Sequence, residues 1–167
     1  MPALEPGAHA PDFELLDLDG HPRKLSEIGK SDLLLLAFYH SACPTCRFAM
    51  PFVGVMSREL QTSTTKIWGI SQDDEDESTI FAREAGLQMP ILIDAPAFST
   101  SAAYGVTNVP TLFVIDLKLP GSHKIVTNCV GFSRADFDEI ARTLAERGDR
   151  PIPDLYNGQG VPELRPG

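Results

Sequence analysis

The run LLLLAFY, positions 33 to 39, constrains the fold more than any other stretch of this chain. All of its residues are apolar, so neither face of the strand they predict can lie in water. Such a strand belongs in the middle of a sheet that is covered on both sides. The chain then enters HSACPTCRF, where Pro44 predicts the start of a helix, because the N–H that proline lacks is not needed at the first helical position. Pro51 falls inside that helix and predicts a kink. KIWGIS (66–71) reads as a second buried strand, TIFAREAG (79–86) as a helix stopped by Gly86, PILI (90–93) as a short strand or lead-in, and AFSTSAAYG (97–105) as a short helix. TLFVID (111–116) and KIVTNCVGF (124–132) read as an antiparallel pair joined by a turn-rich link. Phe137, Ile140, Ala141 and Leu144 share one face of a last helix, capped by Ser133 and ended by Gly148. Upstream, Asp19-Gly20 inside PDFELLDLDGHPRKLSEI predicts a small N-terminal β ribbon. A parallel half thus feeds an antiparallel half.

At 167 residues and 43% hydrophobic, the chain is long enough for one sizeable core and short for two. One domain is read over residues 5–147. The tail at 148–167 is rich in Pro and Gly, has no period, and reads as either disordered or draped over the domain, dispensable for chemistry. A net charge of −9, with Lys and Arg scattered, argues against a nucleic-acid partner. No apolar stretch approaches the roughly 20 residues that cross a bilayer, and MPALEPGAHAPDF lacks the pattern of a signal peptide, so no membrane partner and a cytoplasmic location are expected. Three cysteines are too few for a secreted disulfide framework, and a close Cys-x-x-Cys in a reducing compartment points to redox or metal chemistry.

Cys43 falls at the junction of strand and helix, where free backbone N–H groups and the helix dipole favour a thiolate, which makes it the better nucleophile. Cys46, one turn into the helix, reaches Cys43 yet is shielded, which suits a resolving thiol. His40, three residues before Cys43, reads in two ways. Its imidazole, with an ordinary pKa of ~6.5, either tunes or shuttles the Cys43 proton, or it only packs on the helix.

With NVPTLFVID added, the chain resembles the thioredoxin superfamily, in particular the branch of the tethered thiol-disulfide reductases of the TlpA and ResA kinds and the alkyl hydroperoxide reductase/thiol-specific antioxidant proteins. The resemblance runs through GAHAPDFELLDLDGHPRKLSEIGKSDLLLLAFYHSACPTCRFAMP, IWGISQD, GLQMPILID, YGVTNVPTLFVID and VGFSRADF. It implies an α/β thioredoxin fold: a central mixed sheet with helices on both faces, an N-terminal β extension and an insertion around 72–100. It implies an enzyme of thiol-disulfide exchange, with attack by Cys43, a mixed disulfide, and resolution by Cys46. Pro110 would be the cis-proline facing the cysteines. Val109 would offer backbone hydrogen bonds to an extended substrate, and Pro44 and Thr45 would complete the substrate-binding set. The partners would be protein thiols and disulfides and a separate dithiol electron donor, with no metal or organic cofactor. Two departures stand out. The buried acid that serves the resolving cysteine is absent both on the central strand, where Ala37 stands, and three residues after the second cysteine, where Ala49 stands. That leaves His40 as the nearest titratable group.

A peroxiredoxin-like thiol peroxidase, with Cys43 as peroxidatic cysteine, is the alternative enzyme. It needs a hydroxyl three residues before the cysteine and a proline four before that, where this chain has His40 and Leu36. A zinc site would need two ligands besides Cys43 and Cys46, and Cys129 and the isolated histidines form no second close pair. A scaffold with a vestigial Cys-x-x-Cys is the non-enzyme alternative. Cys129 reads as a small buried hydrophobe, and the acidic run 73–77 as the dipole-favoured start of a helix.

Overall fold

The computed structural model describes residues 2–119 and 121–167. The chain opens with a hairpin, β1 (Glu14–Leu16) against β2 (Pro22–Lys24), turning at Asp19-Gly20 as expected. There follow β3 (Leu33–Tyr39), α1 (Pro44–Glu59), β4 (Thr65–Ser71), α2 (Glu75–Ala85), β5 (Ile91–Ile93), α3 (Ser99–Ala103), β6 (Thr111–Asp116), β7 (Lys124–Val130), β8 (Phe132–Ser133), α4 (Arg134–Arg147) and β9 (Leu164–Arg165). The main sheet has the order β5-β4-β3-β6-β7. β3 is its centre, parallel to β4 and antiparallel to β6, and all of its residues are buried. Pro51 lies inside α1 without ending it.

The alternation of β3 divides the core in two. Leu33, Leu35, Ala37 and Tyr39 face Met50 and Val53 of α1, Phe81 of α2, and Phe137 and Ile140 of α4. Leu34, Leu36 and Phe38 face the other way, among Trp68, Tyr104 and Phe113. Helices were expected on both faces. On the second one Tyr104, at the end of the five-residue α3, packs together with Ala10, Phe13 and Leu25 of the N-terminal extension. Residues 72–100, expected as an insertion, hold α2 and β5, and β5 is hydrogen-bonded to β4 as an edge of the sheet itself.

The tail is draped over the domain. Leu155 and Tyr156 are buried in the helical-side core, and β9 pairs antiparallel with β8. The core therefore continues past the boundary read at residue 147. Phe132 joins these parts: its ring centroid lies 5.1 Å from Phe48, 5.8 Å from Phe52, 4.8 Å from Phe137 and 6.4 Å from Tyr156. The first half of α1, α4 and the tail are thus locked around one side chain.

Removing that ring leaves a void between three elements that cannot all collapse into it. Phe132→Ala is expected to cost about 3–5 kcal/mol in urea unfolding. A loss below about 1 kcal/mol would show that the cluster does not hold α1 in place.

Candidate active site

Cys43 is the N-cap of α1, with extended backbone (φ −77°, ψ 120°), and its Sγ accepts the Cys46 N–H at 3.4 Å. Helix N-termini are complementary to anions, so the sulfur sits where negative charge is best received. On the other side the Cys43 thiol donates to the Val109 carbonyl at 3.2 Å. The Val109-Pro110 peptide is cis. Cys43 is half-buried, whereas Cys46 is fully buried beneath it. Burial pushes the Cys46 thiol well above the ordinary range, and the neighbouring Cys43 sulfur pushes it further. Two cysteines three residues apart thus occupy different environments: one at the surface on a helix cap, one buried as a thiol.

Pro44 is the first residue of α1 and is exposed. Thr45 is buried, and its hydroxyl donates to the Pro166 carbonyl at 2.6 Å, a contact with the tail that nothing in the sequence announced. All the expected site residues, His40, Cys43, Pro44, Thr45, Cys46, Val109 and Pro110, converge at the carboxyl end of β3. A concavity of about 650 Å³ lies elsewhere, lined by residues such as Ser31, Asp32 and Thr64 beside the opposite end of β3.

The structure adds an acid that the sequence pattern did not single out. Asp73 is buried, and it accepts hydrogen bonds from the Ser41 amide at 2.8 Å and the Ser41 hydroxyl at 3.0 Å. Its Oδ1 lies 3.3 Å from His40 Nδ1. That same nitrogen accepts the Ala42 N–H at 3.0 Å. A neutral Nδ1 satisfies the Ala42 amide, and a protonated one satisfies the carboxylate, so the ring stands between two partners with opposite demands. No acid stands at Ala37 or Ala49, and the loop after β4 instead brings the Asp73 carboxyl beside His40.

The acidic run is a helix start for all but its first member. Asp74 caps α2, accepting the Glu77 N–H at 2.9 Å, and Glu75, Asp76 and Glu77 fill its first turn. Asp73 alone turns inward. The usable signal is topological: β3 and β4 are parallel with Tyr39 opposite Ser71, and continuing that register by two residues sets Ser41 beside Asp73. The Gln72 N–H donates to the Tyr39 carbonyl at 3.0 Å and fixes the loop there.

Cys129 is buried in β7, and burial pushes its thiol up to about 12. Among the described residues, the metal-capable cluster is Asp17, Asp19 and His21 in the N-terminal turn, away from the cysteines.

A cysteine pair at a strand-to-helix junction, facing a cis-proline on a mixed five-stranded sheet, defines a thioredoxin-like protein. Residues 6–119 match the AhpC/TSA family, and the chain belongs to it. The thiol-disulfide oxidoreductase ResA of Geobacillus kaustophilus (strain HTA426) is 34% identical over 116 residues, covering 68% of this chain and 65% of that protein. The thioredoxin-like protein YneN of Bacillus subtilis (strain 168) is 30% identical over 118 residues, covering 69% and 68%. A solved structure, a candidate thiol:disulfide interchange protein DsbE from Chlorobium tepidum, superposes with a TM-score of 0.73 at 27% identity, over 87% of this chain and 99% of that one.

The two raised thiols have a consequence for stability. Folding favours their neutral forms, so the stability they supply is full below the ordinary thiol value of about 8.5 and is lost as pH rises from there toward the folded values. In the native protein at about pH 8, iodoacetamide is expected to label Cys43 and to spare Cys46 and Cys129, read by peptide mass mapping. Labelling of Cys129 as fast as Cys43 would contradict the burial described.

Proposed function

We propose that this protein is a thiol-disulfide oxidoreductase that exchanges its Cys43/Cys46 pair with protein partners. The placement of the Cys43 sulfur carries this reading: it lies between the Cys46 amide and the Val109 carbonyl, at the rim of the domain, with a second, buried thiol one helical turn behind. The similarity to ResA and to the Chlorobium protein supports it.

In the reductive direction, the Cys43 thiolate attacks one sulfur of a partner disulfide. A Cys43-partner disulfide forms and the partner's other sulfur leaves as a thiolate. Cys46 then gives up its proton and attacks the Cys43 sulfur, which closes the Cys43-Cys46 disulfide and expels the partner's second thiolate. The partner gains two electrons, and a separate dithiol donor must return them to the pair. Val109 and Pro110, with Pro44 and Thr45, hold an extended partner segment beside Cys43.

The second step is the demanding one, because the attacking thiol is held protonated by burial. His40, backed by the buried Asp73 carboxylate, receives that proton. Asp73 thereby takes the part of the acid absent at Ala37 and Ala49. The peroxidase reading fares worse: His40 stands where the hydroxyl is required, and the nearby Ser41 hydroxyl is spent on Asp73 at 3.0 Å.

Cys43→Ser is expected to abolish reduction of insulin disulfides, and Cys46→Ser to accumulate a mixed disulfide visible on a non-reducing gel. Asp73→Asn and His40→Ala are expected to slow release of the partner by roughly 100-fold while leaving the first attack nearly unchanged, with the deficit shrinking as pH rises. Full activity in Cys43→Ser, or dithiothreitol-driven peroxide consumption that exceeds insulin reduction, would overturn the assignment.

A further inference from the structure

The tail runs beside the active site, touching Thr45, Asn108 and Val109. From β9, where Arg165 pairs with Phe132 and Leu164 with Ser133, the chain passes over α1 toward Val109. The Arg134 N–H donates to the Glu163 carbonyl at 2.9 Å and starts this path. The Arg165 guanidinium lies 4.8 Å from the centre of the Phe48 ring, a cation–π contact two residues after Cys46. The Pro166 carbonyl accepts the Thr45 hydroxyl at 2.6 Å, and the Gly167 carbonyl accepts the Asn108 side-chain amide at 3.3 Å.

Two glycines make the approach possible. A Cβ on Gly167 would stand 2.4 Å from the Val109 carbonyl oxygen and 3.0 Å from its carbon, too close for any side chain. A Cβ on Gly131 would stand 2.9 Å from the Gly167 nitrogen and 3.0 Å from the Arg165 oxygen. Gly167 therefore lies against the backbone of Val109, whose carbonyl also receives the Cys43 thiol, while residues 163–166 lie along Arg134, Ser133, Phe132, Phe48 and Thr45. Leu164, by contrast, is 71% exposed, so the segment is held by its backbone and Arg165 rather than by apolar burial.

We propose that the groove between Thr45, Phe48 and Asn108–Val109 is a docking surface for an extended, basic peptide segment, and that residues 163–167 are its resident occupant, a strap that a partner must displace to reach Cys43. This rests on the partner-exchange reading above and extends it to partner chemistry. The groove takes a strand by its backbone, stacks a cationic side chain on Phe48, and tolerates only a residue without Cβ against Val109 in the strap's register. The net charge of −9 favours basic segments over acidic ones. Because the strap is covalently tethered, it competes at an effective concentration of the order of millimolar, so weak contacts suffice to close the groove. The tail, read from the sequence as dispensable for chemistry, then gates access while leaving the cysteines' own reactivity alone.

The test deletes Glu163–Gly167 and compares two disulfides: insulin, which must enter the groove, and the small aromatic 5,5′-dithiobis(2-nitrobenzoate), which need not. Deletion is expected to raise kcat/KM for insulin about tenfold and to leave the small disulfide within about twofold. The synthetic peptide PELRPG, added in trans, is expected to inhibit the deleted form competitively against insulin, and more strongly than the same peptide with Arg replaced by Glu. Gly167→Val, which drives the strap off Val109 without shortening the chain, should reproduce the deletion and serves if the deleted form does not fold. Unchanged or lower insulin turnover in a folded variant, or no inhibition by the peptide, would overturn the proposal. Failure of the full chain and of both variants to reduce insulin, with the small disulfide still reduced, would instead overturn the partner-exchange reading on which it rests.

Discussion

The site depends on the cap that Cys43 makes on α1. A strand buried on both faces cannot shift without exposing apolar side chains, each worth about 1.5–3 kcal/mol on burial, so the end of β3 is fixed in space. The turn of His40, Ser41 and Ala42 carries that position to the helix start, and the Cys46 amide meets the Cys43 sulfur at 3.4 Å. Phe132 holds the same half of α1 from below. One sulfur is thereby presented at the surface and the other buried, so the two thiols are not equivalent.

The polar side of the site is built by adjacency of parallel strands. β3 and β4 end side by side, so their downstream loops meet at one edge, the place where sheets of this kind carry their chemistry. Ser41 clamps the Asp73 carboxylate with its amide and its hydroxyl, and the carboxylate faces His40. A buried acid is costly unless its oxygens are satisfied, and here the Ser41 amide and hydroxyl, the Ser71 hydroxyl and the His40 ring surround it. The acid thus stands beside His40 although neither β3 nor α1 provides it.

The sequence disclosed the large features because they rest on local signals. LLLLAFY could only be a covered strand, Pro44 marked the start of α1, and Ser133 accepts the Asp136 N–H at 3.2 Å as the cap expected for α4. The Cys-x-x-Cys and Val109-Pro110 were legible as types at spacings, and their convergence followed from the resemblance. Asp73 was hidden within a run of acids whose other members do cap and fill the first turn of α2, and only the strand register tells it apart. The tail was hidden for another reason: Pro and Gly give it no period, and the contacts that hold it, to Thr45, Phe48 and Asn108, are distant in sequence.

Everything proposed for this site requires that Cys43 and Cys46 form one reversible dithiol/disulfide couple, and a glutathione redox titration of the purified protein tests that requirement most directly. A single two-electron transition without a glutathione adduct is expected, with a midpoint between about −270 and about −120 mV, and Cys46→Ser is expected to give instead a glutathione mixed disulfide on Cys43, read by mass. Thiols that stay reduced across that whole range, or an adduct-free transition that persists in Cys46→Ser, would contradict it.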